Sequence, residues 1–231
     1  MVTAGVTTHP MEALEASLQR RFRTRVSGVP IDGAVLRILQ PANAEELISE
    51  SDFAVDERLP YWADIWPSSF AFAGAAHRLL PQGGRLLELG CGAGVMSSVA
   101  ARLGHEVLAT DYYADALHFA RANAWHNSGR EIAVREVDWR SFPTDLGTFE
   151  TILACDVLYE RPYAQLVAQA IRTTLAPGGL ALVADPGRVA VGTFMDSARA
   201  LGLSVSELEK LPWVEGTVRQ TITIWAVRDA R

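Results

Sequence analysis

Cysteine is scarce in this sequence: Cys91 and Cys155 are the only two. That is too few for a disulfide framework or a cysteine-built zinc site. Both follow strand-like runs and are candidate spatial neighbours, and the plainer reading makes each a small buried residue. The five histidines, His9, His77, His105, His118 and His126, lack metal-ligand spacing, and no metal is expected. Also missing is any run of roughly 20 uninterrupted apolar residues, the length a membrane-spanning helix requires. The N-terminus has no basic-then-apolar secretory pattern, and "HPMEALEASLQRRFRTR" reads instead as an amphipathic helix. A cytoplasmic location without a membrane partner is the expectation. Excess positive charge is lacking too: the net charge is −6, which argues against broad nucleic-acid binding, since that depends on phosphate neutralisation. The local exception, Arg20, Arg21, Arg23 and Arg25, reads as a solvated face, with docking of an acidic partner as the lesser alternative.

What is present suits one α/β domain. A chain of 231 residues that is 49% apolar and 21% charged has enough apolar content for a sizeable core, and is short for two domains. The expected arrangement is a single domain over residues 1–231, with 1–80 an N-terminal extension covering the substrate side and 81–231 the core. No repeat or low-complexity segment interrupts it, and oligomeric state has no readable signature.

From about residue 85, apolar strand-like runs alternate with helical patterns, the signature of a mostly parallel sheet covered on both faces. Strands are predicted near Arg85 to Leu89, Glu106 to Thr110, Ile132 to Val137, Phe149 to Cys155, Gly179 to Ala184, Ser204 to Glu209 and Thr217 to Val227. Helices are predicted over Val95 to Leu103, Ala114 to Asn127, Tyr163 to Leu175 and Val189 to Leu201. "APGG" at Ala176 to Gly179 ends a helix and turns into the next strand. No helix separates the last two strands, which predicts an antiparallel hairpin around "PWVEG". Upstream, residues 29–48 suit a short β-hairpin, and residues 58–80 an aromatic-rich loop leading into a helix from about Ser68 to Leu80. The fold class is a doubly wound, mostly parallel seven-stranded sheet with an antiparallel last strand, Rossmann-like, plus an N-terminal helix and hairpin.

"LLELGCGAG" is a strand, a glycine-rich turn and the start of a helix. Gly90, Gly92 and Gly94 allow a ligand to lie against the main chain. In such a sheet the ligand crevice lies outside the carboxyl ends of the strands, beside the first. Asp111 ends the second strand about 20 residues after the first glycine, where an acid accepts hydrogen bonds from ribose hydroxyls. Val95 stands where a dinucleotide fingerprint needs its third glycine, and Glu88 places a carboxyl beside the turn, unfavourable to a phosphate. A nucleoside carrying a sulfonium and an ammonium, S-adenosylmethionine, fits better.

In order along the chain, "ELGCGAG", "TDYYADAL", "VDW" and "DVLYE" resemble the class I seven-stranded S-adenosylmethionine-dependent methyltransferases, and more narrowly methyltransferase family 16, which includes many protein-lysine methyltransferases. The resemblance covers roughly residues 60 to 190, including "PYWADIWPSS", similar to that family's Trp loop. It implies that Glu88 to Gly94 form the cofactor turn, that Asp111, with Tyr112 beside it, holds the ribose, and that Asp138 and Trp139 contact the adenine. Trp66 would lie beside the methionine part, and the backbone of Cys155 would border the cofactor. Each has a plainer reading: a helix cap for Asp111, a loop acid for Asp138, core aromatics for Trp66 and Trp139.

Asp156, where the apolar run "ILAC" surfaces, is the candidate catalytic acid, and Tyr159 completes the acid-x-x-aromatic motif. Its plainer reading, N-cap of the helix after Pro162, places it too far upstream. Asp156 would attract and orient an acceptor amine, and Tyr159, with Tyr61 and Trp62 as possible wall residues, would contact the cation through ring faces. The functional expectation is methyl transfer to an amine, foremost a protein lysine. The alternatives are a small-molecule amine or other metabolite, a nicotinamide-dependent oxidoreductase, and a non-catalytic binding module.

Overall fold

Leu86 and Leu87 are adjacent, fully buried, and belong to different hydrophobic clusters. This follows from the two-residue period of a strand, which sends successive side chains to opposite faces. Both faces of their strand, Arg85–Leu89 (β3), are therefore covered, and the apolar run is continuous rather than alternating. The computed structural model describes residues 9–48 and 59–230. After β3 come Val95–Arg102 (α3), Glu106–Asp111 (β4), Ala114–Ser128 (α4), Ala133–Glu136 (β5), Phe149–Cys155 (β6), Arg161–Thr174 (α5), Leu175–Asp185 (β7), Val191–Ala200 (α6), Leu203–Glu215 (β8) and Val218–Asp229 (β9). Before it lie Pro10–Arg21 (α1), the hairpin Thr24–Ile31 (β1) and Ala34–Pro41 (β2), and Pro67–Leu79 (α2).

The large sheet has the order β5-β4-β3-β6-β7-β9-β8, with β9 antiparallel to both its neighbours. This is the Rossmann-like methyltransferase arrangement expected from the sequence. Phe72 of α2, Met96 of α3 and Ala120 of α4 pack on one face, with Leu86 and Leu153. Val167 and Ile171 of α5 and Phe194 of α6 pack on the other, with Leu87 and Ile152. Each fully buried leucine or isoleucine contributes about 2 kcal/mol through apolar burial. The chain order places β3 between β4 and β6, both parallel to it. Consequently the tips of β3, β4 and β6 open on the same edge, at the point where the strand order reverses.

Several boundaries differ from the sequence reading. The hairpin starts at Thr24, not near residue 29, because Arg25 and Val26 continue the extended chain and pair with Gln40 and Leu39. Its turn falls at Asp32 and Gly33, the latter at φ 67°. Within β8, "PWVE" is strand, and the turn into β9 lies at Gly216 and Thr217. β7 begins at Leu175, so "APGG" belongs to its irregular start, where the register with β6 shifts. Three of the four arginines of the basic cluster face acids: Arg21 meets Asp115 at 2.9 Å, Arg23 meets Glu46 at 2.7 Å, and Arg25 meets Asp64 at 3.4 Å. These are exposed pairs, each worth under about 1 kcal/mol. Among the described residues, no helix is long and apolar enough to cross a membrane.

Candidate active site

The turn after β3 is built by its neighbours. Gly90, Gly92 and Gly94 all have positive φ, at 70°, 51° and 81°. The N–H of Gly94 donates to Cys91 O at 2.8 Å, and the N–H of Cys91 to Thr110 O at 2.9 Å. A methyl group on Gly92 would come within 3.2 Å of Trp62 O, so the missing Cβ leaves room between turn and aromatic loop. Asp111 at the tip of β4 is 8% exposed and fixes this turn from the side: Oδ2 accepts from Gly92 N–H at 2.9 Å and Oδ1 from Tyr113 N–H at 3.1 Å. Burial pushes its carboxyl up, and those backbone donors oppose the shift.

A cavity of about 400 Å³ opens above these tips. It brings together Gly90, Gly92, Asp111, Tyr112, Asp138, Trp139, Trp66, Cys155, Asp156 and Tyr159 from the sequence reading. Gly94 and Glu88 are not among its lining residues. Gly94 serves packing instead, since a Cβ there would sit 2.5 Å from Ala120 Cα. Glu88 lies beneath the turn, 2% exposed, and accepts a hydrogen bond from Ser97 Oγ. Burial raises its carboxyl to about 8. This corrects the electrostatic argument from the sequence: Glu88 is largely protonated at neutral pH and is no standing negative charge against a phosphate.

Asp138 caps the short 3-10 turn Trp139–Ser141 by accepting from Arg140 N–H at 3.0 Å, and its carboxylate also pairs with the Arg140 guanidinium at 2.7 Å. The loop-acid role and the cavity-facing position thus coexist. Trp139 Nε1 is buried and has no hydrogen-bond partner, an unused donor beside a cavity that already offers acidic and aromatic groups. Five rings make an arc along the wall. Trp66 meets Tyr61 (centroids 5.8 Å), Tyr61 meets Tyr159 (5.3 Å), Tyr159 meets Tyr163 (5.4 Å), and Tyr163 meets Trp139 (6.0 Å). Trp62 turns mostly inward, 8% exposed against Phe119. Cys91 and Cys155 are free thiols, both lining the cavity and both pushed up by burial. Among the described residues no cluster of histidine, cysteine and acids could hold a metal ion.

Asp156 stands at the tip of β6 with φ 57°, the only non-glycine residue at positive φ among those described. Its N–H donates to Ala184 O at 2.9 Å, tying it to β7. Its side chain is 2% exposed and held from two sides. Oδ2 accepts from Ser68 N–H at 2.8 Å, while Oδ1 accepts from Arg188 Nε at 3.1 Å and Nη2 at 2.9 Å. Asp156 therefore does cap a helix, but a distant one: Trp66 at the N-cap of α2 has no side-chain cap, and Asp156 satisfies the orphan N–H of its first turn. The helix that follows Asp156 has Glu160 at its N-cap.

Arg188 and Tyr163 were not foreseen as site residues. Arg188 follows Asp185, whose Oδ1 accepts from the N–H groups of Gly187 and Arg188, each at 2.7 Å. Burial and the neighbouring Asp156 help raise Asp185 to about 6, against those two donors. The signal in the sequence was an acid at the end of an apolar strand, in "ALVADPGR", the same cue that singled out Asp156.

An open, mostly parallel sheet of this strand order, with a glycine turn and an acid at adjacent strand tips in one cavity, is a Rossmann-like arrangement whose crevice lies where such sheets hold their ligands. Residues 80–221 match the family described as "Methyltransferase domain", and the chain belongs to that family. The chain thus contains a methyltransferase domain. The fold is similar to that of a TehB-like SAM-dependent methyltransferase from Corynebacterium glutamicum, with TM-score 0.53 and 18% identity, covering 76% of this chain and 92% of that one. It is also similar to the glycopeptide N-methyltransferase MtfA complexed with S-adenosylmethionine, with TM-score 0.54 and 17% identity over 70% of this chain and 94% of that one. In sequence, the chain is 31% identical over 103 residues to a ubiquinone biosynthesis O-methyltransferase of Xanthomonas axonopodis pv. citri, covering 44% of this chain and 43% of the relative. It is 30% identical over 137 residues to the electron transfer flavoprotein beta subunit lysine methyltransferase of Xenopus laevis, covering 56% and 53%. The chain thus spans about half the length of the curated relatives it matches.

Proposed function

We propose that this enzyme transfers a methyl group from S-adenosylmethionine to an amine, and that the amine is a protein lysine side chain. The observation that carries the reading is the convergence of the Gly90–Gly92 turn and Asp156 in one cavity, at the tips of adjacent parallel strands. Gly90, Gly92, Asp111, Tyr112, Asp138, Trp139, Trp66 and the backbone of Cys155 are the residues to hold the cofactor. Held there, S-adenosylmethionine would supply the methyl carbon for an acceptor lone pair, the electrons of the broken C–S bond staying on its sulfur.

The chain's own residues have two tasks. The first is to admit the acceptor as a neutral amine with a free lone pair. A lysine with its reference pKa near 10.4 needs roughly 4 to 5 kcal/mol for deprotonation at neutral pH, and that proton leaves to water, either directly or through Asp156. The second is orientation at near-attack distance. A carboxylate has about four lone-pair sites, and Asp156 uses three of them on Ser68 N–H and the Arg188 fork. The carboxylate is buried, and an acceptor N–H therefore has to replace one of these donors. Tyr61 and Tyr159 form aromatic walls for the alkyl stem and its cation. The segment preceding β3 covers this end of the site through Tyr61, Trp62 and Trp66.

The lysine methyltransferase among the sequence relatives supports a protein acceptor, and the ubiquinone biosynthesis O-methyltransferase supports the second reading, a small-molecule acceptor. Mass spectrometry of lysate proteins incubated with the enzyme and isotope-labelled S-adenosylmethionine separates the two. Methyl-lysine peptides formed by the wild type and absent with Asp156→Asn are expected. Label found in small molecules alone sinks the protein-lysine reading.

A further inference from the structure

The turn Asp185–Arg188 is built to aim one side chain. Asp185 is fully buried and accepts from two backbone N–H groups of the turn, while Gly187 takes φ 91°, a conformation that favours glycine. The guanidinium it delivers lies 5.2 Å from the centre of the Trp66 ring and donates twice to Asp156 Oδ1. A carboxylate and an aromatic face are the two features an acceptor ammonium would use. In this structure the chain's own cation already uses both. The two partners differ in freedom: the Asp156 side chain is 2% exposed, and that of Arg188 is 27% exposed.

We propose that Arg188 is a specificity-determining residue that holds the acceptor's place on Asp156 and must be displaced by the incoming ammonium. This rests on the amine-acceptor reading above. Replacing one cation by another on the same carboxylate yields little net binding energy, so the exchange has to be driven from elsewhere. A lysine presented on a protein surface brings remote contacts that can be spent on the exchange. A free small amine brings none. Arg188 thereby screens the site against free amines and reserves it for macromolecular acceptors. The partial exposure of its side chain gives the guanidinium a path outward into water.

The probe is Nα-acetyl-lysine methylamide, an amine with no further binding surface. S-adenosylhomocysteine release is measured with the wild type, Arg188→Gln, Arg188→Met and Arg188→Lys. Arg188→Gln and Arg188→Met remove the competing cation and should raise kcat/KM for the probe by about tenfold or more, mainly through KM. Arg188→Lys keeps a cation there and should stay within about threefold of wild type. Retained S-adenosylmethionine affinity reports that each variant is folded, and having two neutral variants guards against one that is not. Unchanged or lowered efficiency in both neutral variants overturns the proposal, and so does a wild type that already turns over the probe as well as they do. In those cases the amine reading stands. If no variant methylates the probe, and none binds it by calorimetry in the S-adenosylhomocysteine complex, the amine reading fails and this proposal with it.

Discussion

Asn123 and Leu39 exchange two hydrogen bonds across 84 residues of chain: Leu39 N–H donates to Asn123 Oδ1 at 2.8 Å, and Asn123 Nδ2 donates to Leu39 O at 2.7 Å. The same amide nitrogen donates to Ala93 O at 2.8 Å. One side chain in α4 thus fastens the N-terminal hairpin to the glycine turn. Asn123 is 1% exposed and fully satisfied. Asn123→Ala leaves buried backbone groups unpaired and should destabilise the protein by about 2 to 4 kcal/mol, read by chemical denaturation. Hydrogen exchange at the Leu39 amide should accelerate in step. Unchanged protection there would show that the hairpin is held by packing alone.

Asp111 tests the cofactor assignment. Asp111→Ala removes a charged acceptor at the cavity and the brace on Gly92. The loss of hydrogen bonds to a charged group should weaken S-adenosylmethionine binding by about tenfold to a hundredfold. Calorimetry giving wild-type affinity would dismiss Asp111 as a ribose ligand and leave it as a turn brace.

Glu88 makes stability depend on pH. Its carboxyl is raised to about 8 in the folded protein from an ordinary 4.5. Between those values the folded state holds a proton that the unfolded state has released, so stability falls as pH rises through the window and the full loss is present above about 8. The expected decline between pH 5 and pH 9 is on the order of 4 kcal/mol. Glu88→Gln keeps an acceptor for Ser97 and removes the titration, so its melting temperature should vary less over the same range. Parallel wild-type and variant curves would rule Glu88 out as the source.

At Gly94 both geometry and space are restrictive: φ is 81°, and a Cβ would fall 2.5 Å from Ala120 Cα and 2.6 Å from its Cβ. Gly94→Ala should cost about 3 kcal/mol or more, from left-handed strain together with overpacking of α3 against α4. A thermal melt within a degree or two of wild type would mean that the two helices can separate freely.

Much of this was legible in the sequence. The alternation of apolar strands and helices located every strand of the large sheet within a few residues, apart from the early start of β7 and the length of β8, whose end past Glu209 contains Pro212 and was read as the hairpin turn. "ELGCGAG" and "DVLYE" pointed to two tips that β3 and β6 bring together by lying side by side. Less legible was everything that depends on who faces whom. Arg188 reaches Asp156 only because β7 lies beside β6, and Glu88 loses its charge through burial that no local pattern specifies. The hairpin's first residues were obscured because Arg23 and Arg25 read as the end of a basic helix, whereas their partners Glu46 and Asp64 are remote in sequence.

The aromatic arc has a practical corollary. Three of the six tryptophans, Trp62, Trp66 and Trp139, border the cavity, so the protein carries its own optical reporter. Ligand entry alters the polarity around indoles that sit within the wall, and intrinsic emission will register occupancy without any attached dye.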